Sequence, residues 1–111
     1  MIIGDTLLAN ANKYYGPWLP GEGNAATFAI ETIANGASTT FAVDVQTKNR
    51  DEPDPGSGTT IGSFEAITGT GTSDLHATGV KQLVRLQYAV SGAGSFRFVH
   101  FRVASVAWEA N

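Results

Sequence analysis

Residues 82–103 alternate in polarity so regularly that they constrain the fold of this chain more than any other stretch. In residues 83–90, Val84, Leu86, Tyr88 and Val90 fall on one side while Arg85 and Gln87 fall on the other. That is the period-two pattern of a half-buried strand. In residues 96–103, Phe96, Phe98 and His100 share one face, and Arg97, Val99, Phe101 and Val103 share the other. This second run is apolar on both faces, as a covered strand should be. The five residues between the runs, Ser91-Gly92-Ala93-Gly94-Ser95, suit a hairpin turn. The sequence therefore predicts a central antiparallel hairpin here.

The same period recurs upstream. Phe28, Ile30 and Thr32 alternate with Thr27, Ala29, Glu31 and Ile33, and Phe41, Val43, Val45 and Thr47 alternate with Ala42, Asp44, Gln46 and Lys48. Asn35-Gly36 lies between them and is a strong hairpin signal, because both residues tolerate positive φ. A second hairpin over about residues 26–48 is expected. Residues 59–67 and 72–78 read as further strands, with Leu75 the one large apolar anchor of the latter, and 104–111 carries Val106 and Trp108. Residues 49–58 read as an exposed loop, and 69–71 and 78–81 as turns. Residues 1–8 fit a short strand or an extended arm. The count is seven or eight short strands with turns every 8–12 residues, no helical period and no internal repeat. This points to an antiparallel β-sandwich or small barrel.

Composition narrows the function. The 111 residues suffice for one domain with one core. Charged residues are only 15% of the chain, which disfavours a helical bundle or coiled coil. Cysteine is absent, which removes disulfides, thiolate metal sites and a cysteine nucleophile. A net charge of −3 with seven basic residues gives no electrostatic footprint for nucleic acid. Residues 1–8 lack the charged and apolar regions of a signal peptide. No window approaches the roughly 18 apolar residues of a membrane span. A soluble chain, or one held by other proteins, is expected.

Chemistry-bearing patterns are sparse. The two histidines, His76 and His100, stand beside no nucleophile elbow. His100 reads as a strand residue with its ring hydrogen-bonded in the sheet, so an enzyme working through it is not expected. Asp51-Glu52-Pro53-Asp54 collects carboxylates without EF-hand spacing and reads as a solvated loop. Gly69-Thr70-Gly71 opens like a dinucleotide fingerprint, but Asp74 stands where the third glycine belongs and no helix follows. Arg85, Arg97 and Arg102 lack interleaved aromatics and read as surface pairs worth under about 1 kcal/mol each.

The aromatic stretch Tyr14-Tyr15-Gly16-Pro17-Trp18-Leu19-Pro20 is held extended by its prolines. Its large apolar side chains need a surface to lie on. That surface is the chain's own core, a partner protein or a sugar face.

Three stretches together carry a family resemblance. They are Gly16-Pro17-Trp18-Leu19-Pro20 with Gly23-Asn24-Ala25-Ala26-Thr27-Phe28, then Val84-Arg85-Leu86-Gln87-Tyr88-Ala89-Val90-Ser91-Gly92, then Val99-His100-Phe101-Arg102 ahead of Trp108-Glu109 and Asn111. Over about residues 15–111 the chain resembles small structural proteins encoded in the head-gene region of tailed bacteriophages and prophages. That group includes capsid decoration proteins.

The resemblance implies a virion structural protein on the capsid surface, assembled in the host cytoplasm. It would bind the major capsid protein, copies of itself or both, as a homo-oligomer on the virion, without cofactor, metal, nucleic acid or membrane. The expected architecture is all-β, a single antiparallel β-sandwich of jelly-roll type over residues 21–111, preceded by an extended N-terminal arm over 1–20. Tyr14, Tyr15, Trp18 and Leu19 are the expected protein interface. The competing reading is a carbohydrate-binding β-sandwich, a host-adhesion component of a virion.

Overall fold

The computed structural model of the chain describes residues 3–9, 14–36, 38–51, 59–92, 97–103 and 106–109. Every regular element among them is a strand: β1 (Ile3–Ala9), β2 (Tyr14–Tyr15), β3 (Leu19–Pro20), β4 (Ala25–Asn35), β5 (Thr39–Lys48), β6 (Thr59–Ser63), β7 (Gly71–Thr78), β8 (Leu83–Gly92), β9 (Phe98–Val103) and β10 (Ala107–Glu109). All pairings are antiparallel, so the all-β antiparallel class expected from the sequence is observed.

The strands form two sheets. In the first, β4 pairs with β7 along one edge and with β9 and β10, end to end, along the other; β1 adds outside β9. In the second, β8 pairs with β5 along one edge and with β2 and β3, end to end, along the other; β6 adds outside β5. Counting each end-to-end pair as one row gives eight rows, four per sheet. The pairing is nested. The first row meets the last, the second the seventh, the third the sixth and the fourth the fifth.

The inner faces follow from the alternation. Ala26, Phe28 and Ile30 of β4 and Val99, Phe101 and Val103 of β9 are buried from the first sheet. Phe41, Val43 and Val45 of β5 and Val84, Leu86, Tyr88 and Val90 of β8 are buried from the second. They form one core, and the Phe101 ring lies 4.8 Å from Phe41 and 4.9 Å from Tyr88, joining the sheets. Phe64, Ile67, Val80 and Val106 are buried outside the named strands and belong to the same core. Each large side chain buried this way contributes roughly 1.5–3 kcal/mol.

Both expected hairpins are corrected. β8 and β9 lie in different sheets, and so do β4 and β5. The ladder of β5 runs instead with β8, from Thr39↔Gly92 to Lys48↔Leu83. The alternation of residues 84–90 matches their burial, because period-two burial is the same whether the next strand lies beside or opposite. The expectation that residues 96–103 are covered on both faces is corrected, since among those described only Val99, Phe101 and Val103 are buried. A turn signal marks where the chain reverses, not which sheet it enters.

Asn35-Gly36 shows the difference. Asn35 pairs with Val99 and the Gly36 N–H donates to the Phe98 carbonyl (2.9 Å), so both extend the β4–β9 ladder. Positive φ falls two residues later, at Ser38 (54°), where the chain enters β5. Residues 1–20, read as an arm, contribute β1 to the first sheet and β2 and β3 to the second.

Gly92 closes the β5–β8 ladder with φ at 127°, and a Cβ there would lie 1.9 Å from the Ser38 carbonyl oxygen. Gly92→Ala is therefore expected to destabilise by at least about 1–3 kcal/mol. Gly69→Ala, where a Cβ would meet nothing within 4 Å, should stay within about 0.5 kcal/mol of the parent. Urea midpoints of the two variants check this; equal midpoints would remove the constraint assigned to Gly92.

Candidate functional site

The polar face of the second sheet carries Arg85 and Gln87 from β8, and Asp44, Gln46 and Lys48 from β5, with Gln46 opposite Arg85 and Asp44 opposite Gln87. On an open sheet these side chains would be solvated. Arg85 is instead only 5% exposed and Lys48 6%. The cover is residues 14–20.

That segment is fixed by its backbone. Tyr15 pairs with Gln87 and Leu19 with Val84. The Gly16 N–H donates to the Leu86 carbonyl (2.8 Å) and the Gly21 N–H to the Gln82 carbonyl (2.9 Å). Between them Gly16-Pro17-Trp18 leaves the ladder, and Pro17, which has no N–H to offer, sits where none is needed.

Register then sorts the side chains. Tyr15 and Trp18 close over Arg85, with its guanidinium carbon 4.1 Å from the Tyr15 ring centre and 4.3 Å from that of Trp18. Lys48 Nζ lies 5.0 Å from the Trp18 ring. In its own plane the guanidinium donates from Nε to Gln46 Oε1 (2.9 Å), and Gln46 Nε2 donates to Gln87 Oε1 (2.8 Å). A flat cation held between two rings and bonded at its rim is a role arginine fills and lysine does not. Such contacts are worth about 0.5–2 kcal/mol each as they lose water.

Tyr14 and Leu19 go to the other side, opposite the core residues Tyr88 and Val84. The Tyr14 ring stacks 6.1 Å from Tyr88, and Tyr88 stacks 5.9 Å from Phe41, so an aromatic series runs from the sheet edge into the core. Burial pushes the Tyr88 hydroxyl well above the ordinary tyrosine range, and the neighbouring Tyr14 adds to it.

The four residues expected at an interface are therefore split. Tyr15 and Trp18 share the Arg85 clamp, while Tyr14 and Leu19 edge the core. Tyr14 (47% exposed) and Tyr15 (38%) offer ring surface to solvent, whereas Trp18 and Leu19 are half-buried.

Arg85 and Arg102 lie on different sheets, and the reading of Arg85 as an aromatic-free surface residue is corrected. Its aromatic neighbours come from some seventy positions upstream, a distance that no local spacing encodes. Arg102 lies on the first sheet, where its Nε donates to Glu31 (2.7 Å). His76 of β7 contacts Glu109 of β10 on the same sheet. His100 stands in β9 opposite Ala34, facing away from the core. Gly69 and Thr70 bend the chain into β7. The acidic loop lies outside the described residues from Glu52 onward. Among the described residues no three His, Cys, Asp or Glu side chains converge as a metal site, no pocket opens, and no helix is long and apolar enough to cross a membrane. Residues 14–20 offer exposed tyrosine rings on a backbone paired to β8.

No protein-family model, curated protein or solved structure compared with the chain matches it.

Two expectations follow from the clamp and the aromatic series. Trp18→Ala and Arg85→Met should each lower stability, and the double variant should lose about 1 kcal/mol less than their sum. Additive losses in urea unfolding would mean the rings and the guanidinium do not interact. The Tyr88 hydroxyl, with its pKa raised on folding, contributes stability that is fully present below the unfolded value near pH 10 and is lost as pH rises toward the folded value. Unfolding free energy should fall by up to about 1.4 kcal/mol per pH unit above roughly pH 10. Tyr88→Phe should remove that part of the slope.

Proposed function

We propose that this chain is a virion structural protein, a capsid decoration or head-stabilising subunit that binds the assembled shell and performs no catalysis. The observation that carries the reading is the nested order of the eight rows, 1-8-3-6 facing 2-7-4-5. That order supports a jelly-roll β-sandwich, an architecture used by viral capsid and lectin domains. Fold alone does not assign function. The resemblance of residues 15–111 to phage head proteins supplies the direction, and residues 14–20 supply a surface.

In this reading residues 14–20, paired along β8, are the docking segment. Trp18 and Leu19 seat it, and Tyr14 and Tyr15 present their open rings to the major capsid protein or to a neighbouring copy on the outer surface of a shell assembled in the host cytoplasm. Aromatic anchors of this kind dominate many interfaces, because they bury large area with few rotamers.

The exposed Tyr14 and Tyr15 rings also favour a second reading, a carbohydrate-binding module for host adhesion, since flat rings stack on pyranose faces. One set of experiments separates the two. Purified protein mixed with shells lacking it should pellet saturably, at a copy number set by the shell's symmetry. Tyr14→Ser with Tyr15→Ser should weaken that binding at least about tenfold. No pelleting, together with glycan-array binding lost in the same variant, would replace the capsid reading by the adhesion reading.

A further inference from the structure

A sheet edge presents unpaired N–H and C=O groups that another strand can adopt. Among the described strands there are four such edges, and three are interrupted. The β1 ladder shifts register between Ile3 and Thr6. The β6 ladder shifts where Gly62 pairs with Val45 but Thr60 with Gln46, leaving Ile61 as the extra residue. β2 and β3 are two residues each, broken at Gly16-Pro17-Trp18 and ending in Pro20.

β7 differs. Its eight residues pair with β4 without a shift, from Ala25↔Thr78 to Thr32↔Gly71, and no described strand pairs with its far edge. It contains no proline or lysine, the residues that most often blunt an edge, and its one acidic residue is Asp74. It is the one long, regular edge described.

We propose that β7 is a homodimer interface, joining a second copy of this chain by antiparallel pairing about a two-fold axis at Leu75. The placement of hydrogen-bonding side chains selects that occupant and that register. Leu75 and Ala77 face the core side, opposite Phe28 and Ala26, while Asp74 and His76 project exposed from the outer face. An axis at Leu75 sets Asp74 opposite His76 of the second copy, twice by symmetry, with Ser73 opposite Ala77 and Thr72 opposite Thr78.

Other registers lose this match. An axis at Asp74 opposes two carboxylates, and an axis at His76 opposes two imidazoles. An axis at Ser73 sets Asp74 against Thr72 and His76 against Thr70, and an axis at Ala77 sets His76 against Thr78 and Asp74 against Val80. Two carboxylates directly opposite are disfavoured, whereas a carboxylate opposite an imidazole can accept its hydrogen bond. The His76 ring, held on its own chain by Glu109 through Nε2, keeps Nδ1 as its second polar atom.

The two first sheets thereby join into one of eight rows, with the Tyr14–Trp18 segments on separate sheets and both left open. The interface is thus distinct from the capsid reading and compatible with it. An edge pairing buries less than the roughly 1,200 Å² of a standard interface, so the association is weak.

The test uses the full chain. Sedimentation velocity from roughly 10 µM to 1 mM should show reversible dimerisation. Asp74→Lys, an exposed change, should raise the dissociation constant at least tenfold, and mixing it with His76→Glu should recover a heterodimer in which every opposed pair is complementary. Because the parent chain has no cysteine, Leu75→Cys should form a disulfide-linked dimer under mild oxidation. Thr72→Cys, about 20 Å from its own symmetry mate in this register, should not. A protein monomeric throughout that range, an Asp74→Lys variant that dimerises unchanged, or cross-linking no faster at 75 than at 72 would each overturn the proposal.

Discussion

Phe101 carries the contact on which the two sheets depend. Its ring lies against Phe41 and Tyr88, both from the opposite sheet, and each of these stacks with the other. Tilted and offset rings at these separations gain beyond the area they bury. The three residues belong to β9, β5 and β8, each an inner strand of its sheet. Everything nearer the rims, including the exposed tyrosines, is positioned by strands that this triplet fixes relative to one another.

The second sheet is unusual in having both faces covered. Inside is the aliphatic and aromatic core; outside is a polar layer of Arg85, Gln46, Gln87 and Lys48 closed by Tyr15 and Trp18. A buried cation is costly unless its donors and its faces are all occupied. The glutamine chain serves the rim of the guanidinium and the rings serve its faces. The outcome is a proline-bearing segment held by backbone pairing to β8 and by the cation beneath its rings, without a hydrophobic core of its own.

Much of the fold class was legible in the sequence because burial of a strand depends only on its own period. Val84, Leu86, Tyr88 and Val90, and likewise Phe28 and Ile30, are buried as their alternation predicts. Pairing was not legible. Phe98 to Val103 alternates identically whether it returns beside β8 or crosses to lie against β4, and the turn residues between are common to both routes. At the site, the aromatic density of residues 14–18 was visible, as was its need for a surface. Its division between two faces was not, because that depends on the register of Tyr15 with Gln87 and Leu19 with Val84. Arg85 reads as a surface residue in the sequence because its ring partners are near only after β2 and β3 reach β8.

The nested pairing has a temporal side. Among the described strands Ile3–Ala9 precedes all others in chain order, and its backbone partner, Phe98–Val103, begins about ninety residues after it. At a synthesis rate of about 5–20 residues per second, that first strand waits roughly 5–20 s before its partner exists. The interior pair, β5 with β6, can form long before. Assembly is then expected to proceed from the middle of the chain outward, with the two ends closing the molecule last.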